Sequence, residues 1–144
     1  MIEQDTIRLL RECDSGVKMG ISSFDDVLEY VKNEELKNLL LDSKSKHESL
    51  THEIQELLDK YHDEGKNPNP LIKGMSWIKT KAEIMMNEND GTIASLMTDG
   101  CNMGVKSLSK FLNEYKAADE KSKDIAKRLI DLESSLAINI RKFL

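Results

Sequence analysis

Cys13-Asp14-Ser15-Gly16-Val17-Lys18 and Cys101-Asn102-Met103-Gly104-Val105-Lys106 are two copies of one string, C-x-x-G-V-K, and they hold both cysteines of the chain. Each copy lies inside an amphipathic pattern. Around the first, Leu10, Cys13, Val17, Ile21, Phe24, Leu28 and Val31 recur in steps of three and four, which places them on one face of a helix. Around the second, Ile93, Met97, Cys101, Gly104, Leu108 and Leu112 do the same, with Val105 beside Gly104, and Tyr115 closes the stripe. Asp5 or Thr6 is a suitable cap for the first helix, and the turn Asn89-Asp90-Gly91 leads into the second. The first helix would run about 25 residues, or ~38 Å. Gly16 and Gly20 lie inside it at a cost of up to ~1 kcal/mol each, so another backbone is expected to pass close by.

Each of these helices is followed by a second amphipathic one. Asn33, ahead of Glu34 and Glu35, is an N-cap with acids in the first turn, and it opens the stripe Leu36, Leu40, Ser43, His47, Leu50, Ile54, Leu57 and Tyr61. Ser43 and His47 interrupt an otherwise apolar face. Asp119 caps a last helix, whose inward residues read as Ile125, Leu129, Leu132, Leu136, Ile140 and Phe143. Between the pairs, Glu64-Gly65-Lys66-Asn67-Pro68-Asn69-Pro70 breaks the chain, and Pro70 starts a shorter helix carrying Leu71, Met75, Ile78, Ala82 and Met85 beside Trp77.

The expected fold is therefore all-α, one domain over residues 1–144. Two helical hairpins, 4–64 and 91–143, are joined by a crossover, 65–90, that contains a short helix. At ~27 Å that helix would span most of a bundle, so the second hairpin would start from the far end, the ferritin-like four-helix topology. The repeated string then relates the halves by a pseudo-twofold, with both cysteines facing the middle.

Composition agrees with this and excludes other classes. Of 144 residues, 33% are charged and 39% apolar, with two prolines, which suits a folded helical domain. The 21 basic and 26 acidic residues give a net charge of −5 and are interspersed, so no basic patch marks a nucleic-acid partner. No apolar run approaches the ~20 residues of a membrane span, and Met1-Ile2-Glu3-Gln4-Asp5 lacks the basic and apolar regions of a signal peptide. The expectation is a cytoplasmic protein whose two cysteines are reduced thiols.

The order of elements, and the strings Asp14-Ser15-Gly16, Leu71-Ile72-Lys73-Gly74-Met75-Ser76-Trp77-Ile78-Lys79 and Asp99-Gly100-Cys101-Asn102, resemble an uncharacterised bacterial family of ferritin-like four-helix bundles. The resemblance implies a mid-bundle site. In related ferritin-like proteins, a Glu from each of two helices and a Glu-x-x-His pair from each of the other two bind two metals. This chain departs from that set: Cys13 and Cys101 stand where the single glutamates would be, Lys44 stands three residues before His47, and Glu133 is followed at the same spacing by Leu136. An oxygen-rich di-iron centre does not fit. Cys13, His47, Cys101 and Glu133 remain as a candidate zinc or iron set, since two thiolates, an imidazole and a carboxylate suit zinc.

Plainer readings stand beside it. Cysteine is among the most often buried residues and fills cores as a small hydrophobe. His47 reads equally as a core histidine bonded to Ser43 or to the opposite helix, and Glu133, at the edge of its stripe, as a solvated flank position. A Cys13–Cys101 disulfide would need Cα atoms within about 4.4–6.8 Å, and no cation is placed to activate either thiol. His47-Glu48-Ser49-Leu50-Thr51-His52 is one residue too long for a zinc-protease signature, leaving its histidines about 140° apart around the helix. These features lead to a non-enzymatic bundle with a structural or interaction role. Self-association into a homo-oligomer is expected, with no cofactor, no small-molecule substrate, no nucleic acid and no membrane. The alternative is a metal- or thiol-dependent redox protein acting through Cys13, Cys101 and His47.

Overall fold

The computed structural model describes residues 4–67 and 89–144, and all regular structure among them is helical. Four long helices, α1 (Gln4–Leu28), α2 (Glu34–Lys60), α3 (Asp90–Glu114) and α4 (Glu120–Asn139), are followed by a short 3₁₀ turn at Arg141–Phe143. The connecting helix expected over residues 70–87, with Trp77, falls outside the described residues.

Local chemistry sets the helix starts. Asn33 Oδ1 accepts from the amides of Glu35 (2.8 Å) and Leu36 (3.1 Å), Asn89 Oδ1 from Thr92 N (2.7 Å), and Asp119 Oδ1 from Ser122 N (2.8 Å), each satisfying amides that the first turn leaves without partners. The expected cap at Asp5 or Thr6 is not used. Both lie inside α1, and their side chains accept instead from Ala117 N (3.1 Å) and Asp119 N (2.8 Å), tying the start of α1 to the loop between α3 and α4.

The helix directions follow from what meets at each end. Arg11 near the start of α1 pairs with Asp63 just past α2 (Nε to Oδ2 3.0 Å), and Asp14 accepts from Lys66 N (3.0 Å). At the other end, Asp90 at the start of α3 accepts from the amides of Lys32 (2.9 Å) and Asn33 (3.0 Å), just past α1. So α1 and α4 run one way, α2 and α3 the other, and the described ends of the 67-to-89 connection lie at opposite ends of the bundle. Packing is closest within the pairs α1–α2 and α3–α4; α1 and α4 also pack on each other, while α2 and α3 stand across the long diagonal.

Two apolar clusters fill the interior. The first is built on Leu10, Cys13 and Val17 of α1, Ile54 and Leu58 of α2, Leu108 of α3 and Leu129 of α4. The second is built on Phe24 and Val27, Leu36 and Leu40, Ile93 and Cys101, and Leu136 and Ile140. Every helix passes from one cluster to the other, and at that level the buried residues turn polar or small. The buried stripe of α2 is the one read from sequence, Leu36 through Leu57. That of α1 is wider, taking in Leu9, Asp14 and Val27 and leaving Ile21 half-buried, because α1 packs against three helices rather than two.

Candidate functional site

His47 and Glu133 occupy the level between the two clusters. His47 is fully buried, with Nδ1 2.7 Å from Ser43 O and Nε2 2.8 Å from Glu133 Oε1. A carbonyl oxygen only accepts, so Nδ1 carries a proton. Nε2 faces a carboxylate oxygen, and two lone pairs at that distance need a proton between them. The pair therefore holds one proton beyond the one on Nδ1, as imidazolium–carboxylate or as imidazole–carboxylic acid. Phe24 from α1 meets the ring edge-on at a centroid distance of 5.0 Å. Gly20, also from α1, lies over its other part: a Cβ there would stand 3.0 Å from Cδ2 and 3.2 Å from Nε2. The close approach expected at α1 is thus to a side chain on α2, not to a backbone.

Glu133 corrects the sequence reading. It is 9% exposed rather than solvated, because α4 packs against three helices and the edge of its stripe is covered. Burying a carboxylate is unfavourable unless it is paired, and His47 supplies the partner. The Cys101 thiol on α3 lies against the same carboxylate. Burial first, then the Glu133 charge and a hydrogen bond to it, push that thiol well above its ordinary value.

Cys13 is elsewhere. α1 and α3 are antiparallel and cross the polar level at Gly20 and Gly104, and both cysteines precede that level in their own helices, so they lie on opposite sides of it. At 1.5 Å per residue, Cys13 is about 10 Å and Cys101 about 4 Å from the level. That axial gap excludes the Cα separation of a disulfide, and both thiols are free and buried. The repeated string is out of register with the bundle's symmetry by one turn: Gly104 sits beside Glu133, but the glycine over His47 is Gly20, not Gly16. Burial pushes the Cys13 thiol up to about 12, with the Glu12 and Asp14 charges adding to it. The four-residue set of Cys13, His47, Cys101 and Glu133 does not come together. Among the described residues, no three His, Cys, Asp or Glu side chains stand where they could hold a metal ion.

A second buried charge was not legible from the sequence. Asp14 is fully buried on α1, where it accepts from Lys18 Nζ (2.8 Å), Gln55 Nε2 (3.0 Å) and Lys66 N (3.0 Å). Its role is to seat the chain leaving α2, which turns through His62 (φ 56°) and Gly65 (φ 81°), against α1. The signal available was its place next to Cys13 on a stripe wider than the i, i+3, i+4 rule implies. Ser43 Oγ is buried with no partner, one turn before His47.

An all-α four-helix bundle with a polar layer across its middle is the class these observations define. A crystal structure of a DUF305 fragment from Deinococcus radiodurans is similar to it, with a TM-score of 0.76 over 98% of this chain and 95% of that one. Identity is 11%, so the likeness is one of fold. That protein carries the designation of a bacterial domain of unknown function. No protein-family profile matches the sequence, and no curated protein does.

Proposed function

We propose that this protein is a ferritin-like bundle without enzymatic activity, whose role is structural and whose contacts, self-association first, are made by its outer surface. The observation that carries this reading is the state of His47. Both ring nitrogens are engaged, one on the Ser43 carbonyl and one on the Glu133 carboxylate, at the level where ferritin-like proteins hold their metals. Side chains bonded to one another fill that level, and the raised thiols of Cys13 and Cys101 are poor nucleophiles and poor ligands at neutral pH. The ferritin-like topology is supported by the parallel course of α2 and α3, which sets the two ends of their connection at opposite ends of the bundle.

For self-association, the support is the set of large apolar side chains left outside, with Met103, Ile138 and Leu144 each more than half exposed. The test pairs two measurements on untagged, chelator-free protein. Sedimentation should show a dimer or larger species that Met103→Glu or Ile138→Glu weakens, and metal analysis should show no ion that depends on His47. A monomer at every concentration would remove the self-association reading. Stoichiometric metal lost in His47→Ala would remove the non-metal reading.

A further inference from the structure

We infer that the cleft between α2 and the 3₁₀ turn that follows α4 is a binding site for a small amphipathic carboxylate, an apolar body ending in one negative charge. Such a site adds to the structural role proposed for the bundle and does not depend on it. Its shape comes from the end of α4. Ile140 has no exposed surface and anchors the turn in the second apolar cluster, and Phe143 packs partly against the same cluster. Arg141 and Lys142, between them, are left outside beside the start of α2. The cleft measures about 450 Å³, within the ~300–1,000 Å³ of small-ligand sites. Leu39, Ile138 and Phe143 give it an apolar lining, in which Ile138 is 55% exposed.

Charge decides what fills the cleft. Of the four arginines, Arg8 pairs with Asp5, Arg11 with Asp63 and Arg128 with Glu53, whereas Arg141 meets no carboxylate among the described residues. Lys142 is committed to Glu35, with its ammonium 5.4 Å from the Phe143 ring centroid, so the one acid in the lining is already neutralised. One unit of positive charge remains. A guanidinium presents a planar fork of donors that fits a carboxylate through two parallel hydrogen bonds, and Asn139 in the same lining supplies a further amide donor. A dianion such as a phosphate monoester would need a second free cation, and Glu35 would repel it. A neutral apolar molecule would leave the guanidinium unused. A second cleft, between α2 and α4, has the opposite balance. It is smaller, about 250 Å³, and is lined by Leu50 and Leu132, but its Arg128 is held by Glu53 and Asp124 and its Lys46 by Asp42. No free cation is left in that lining, so Arg128 serves as the control for Arg141.

The test is an amide NMR titration of the full chain with octanoate, set beside octanol, acetate and octyl phosphate. Because Ile138 also belongs to the surface proposed for self-association, the titration is run at a protein concentration where sedimentation shows a single species. Octanoate should shift the amides of Leu39, Ile138 and the 3₁₀ turn along a saturable curve. Acetate, which lacks the apolar body, should not saturate. Octanol, which lacks the charge, should bind about tenfold more weakly than octanoate, the step expected for losing charge-assisted hydrogen bonds. Arg141→Gln exchanges one exposed polar side chain for another, so the fold is kept, and it should weaken octanoate by the same factor while leaving octanol unchanged. Arg128→Ala should bind octanoate as the wild type does. Shifts that never saturate, or that centre on other residues, would overturn the site, as would equal octanoate affinity in the wild type and Arg141→Gln. Octyl phosphate binding more tightly than octanoate would overturn the carboxylate assignment.

Discussion

Above about pH 9 the unfolded chain loses its thiol protons while the folded chain keeps them, and this difference has a calculable effect on stability. Cys13 has no exposed surface, and burial moves it from an ordinary value of 9.0 to about 12. The sign follows from proton counting. A raised value means that the folded state holds the proton longer, so the contribution is whole below 9 and is lost as pH rises towards 12. Each unit of difference corresponds to about 1.4 kcal/mol, so Cys13 removes on the order of 4 kcal/mol in the limit, and about 3 kcal/mol by pH 11. Cys101 is displaced in the same direction by burial and by Glu133, so it steepens the fall. Against a total of roughly 5–15 kcal/mol for a domain, this is a large fraction. The assay is urea unfolding by circular dichroism from about pH 8 to about pH 11, set beside Cys13→Ala, Cys101→Ala. The variant loses packing at every pH, which shifts its curve without bending it. Tyr61 and Tyr115, whose values are also raised by burial, contribute equally to both proteins and cancel. Parallel curves for the two proteins would refute the reasoning.

Three more outcomes are expected. Gly65→Ala places a Cβ into the Asp14 carboxylate at a φ of 81°, and should cost about 2 kcal/mol or more in urea unfolding, whereas Gly100→Ala, with nothing within 4 Å of the new Cβ in mid-helix, should raise stability by up to about 1 kcal/mol. Asp14→Ala strips acceptors from Lys66 N and Gln55 and leaves a cavity in place of a buried carboxylate, which should lower stability by about 2–3 kcal/mol and speed proteolysis after α2. Arg128→Ala removes a well-formed pair of hydrogen bonds from the guanidinium to the Glu53 carboxylate, yet both side chains are more than 40% exposed, so the loss should stay below about 1 kcal/mol and vanish in high salt.

The four amphipathic helices, the caps at Asn33 and Asp119, and the end of α2 ahead of the breaker that starts at Glu64-Gly65 were all determined by the sequence itself, because each depends on residues within a turn or two of one another. The buried polar pair on α2 was legible for the same reason: Ser43 and His47 break an apolar period on one face. Tertiary structure alone decided what those residues meet. Whether Glu133 faces solvent or His47 depends on how closely α4 is pressed between its neighbours, which no local period reports. The two copies of C-x-x-G-V-K imply symmetric cysteines, but antiparallel helices that cross the polar level at Gly20 and Gly104 put Cys13 and Cys101 on opposite sides of it. A one-turn offset between helices costs nothing in sequence pattern and moves a side chain about 5 Å, and the antiparallel course of α1 and α3 adds to it, leaving Cys13 about 10 Å from the polar level on the side opposite Cys101.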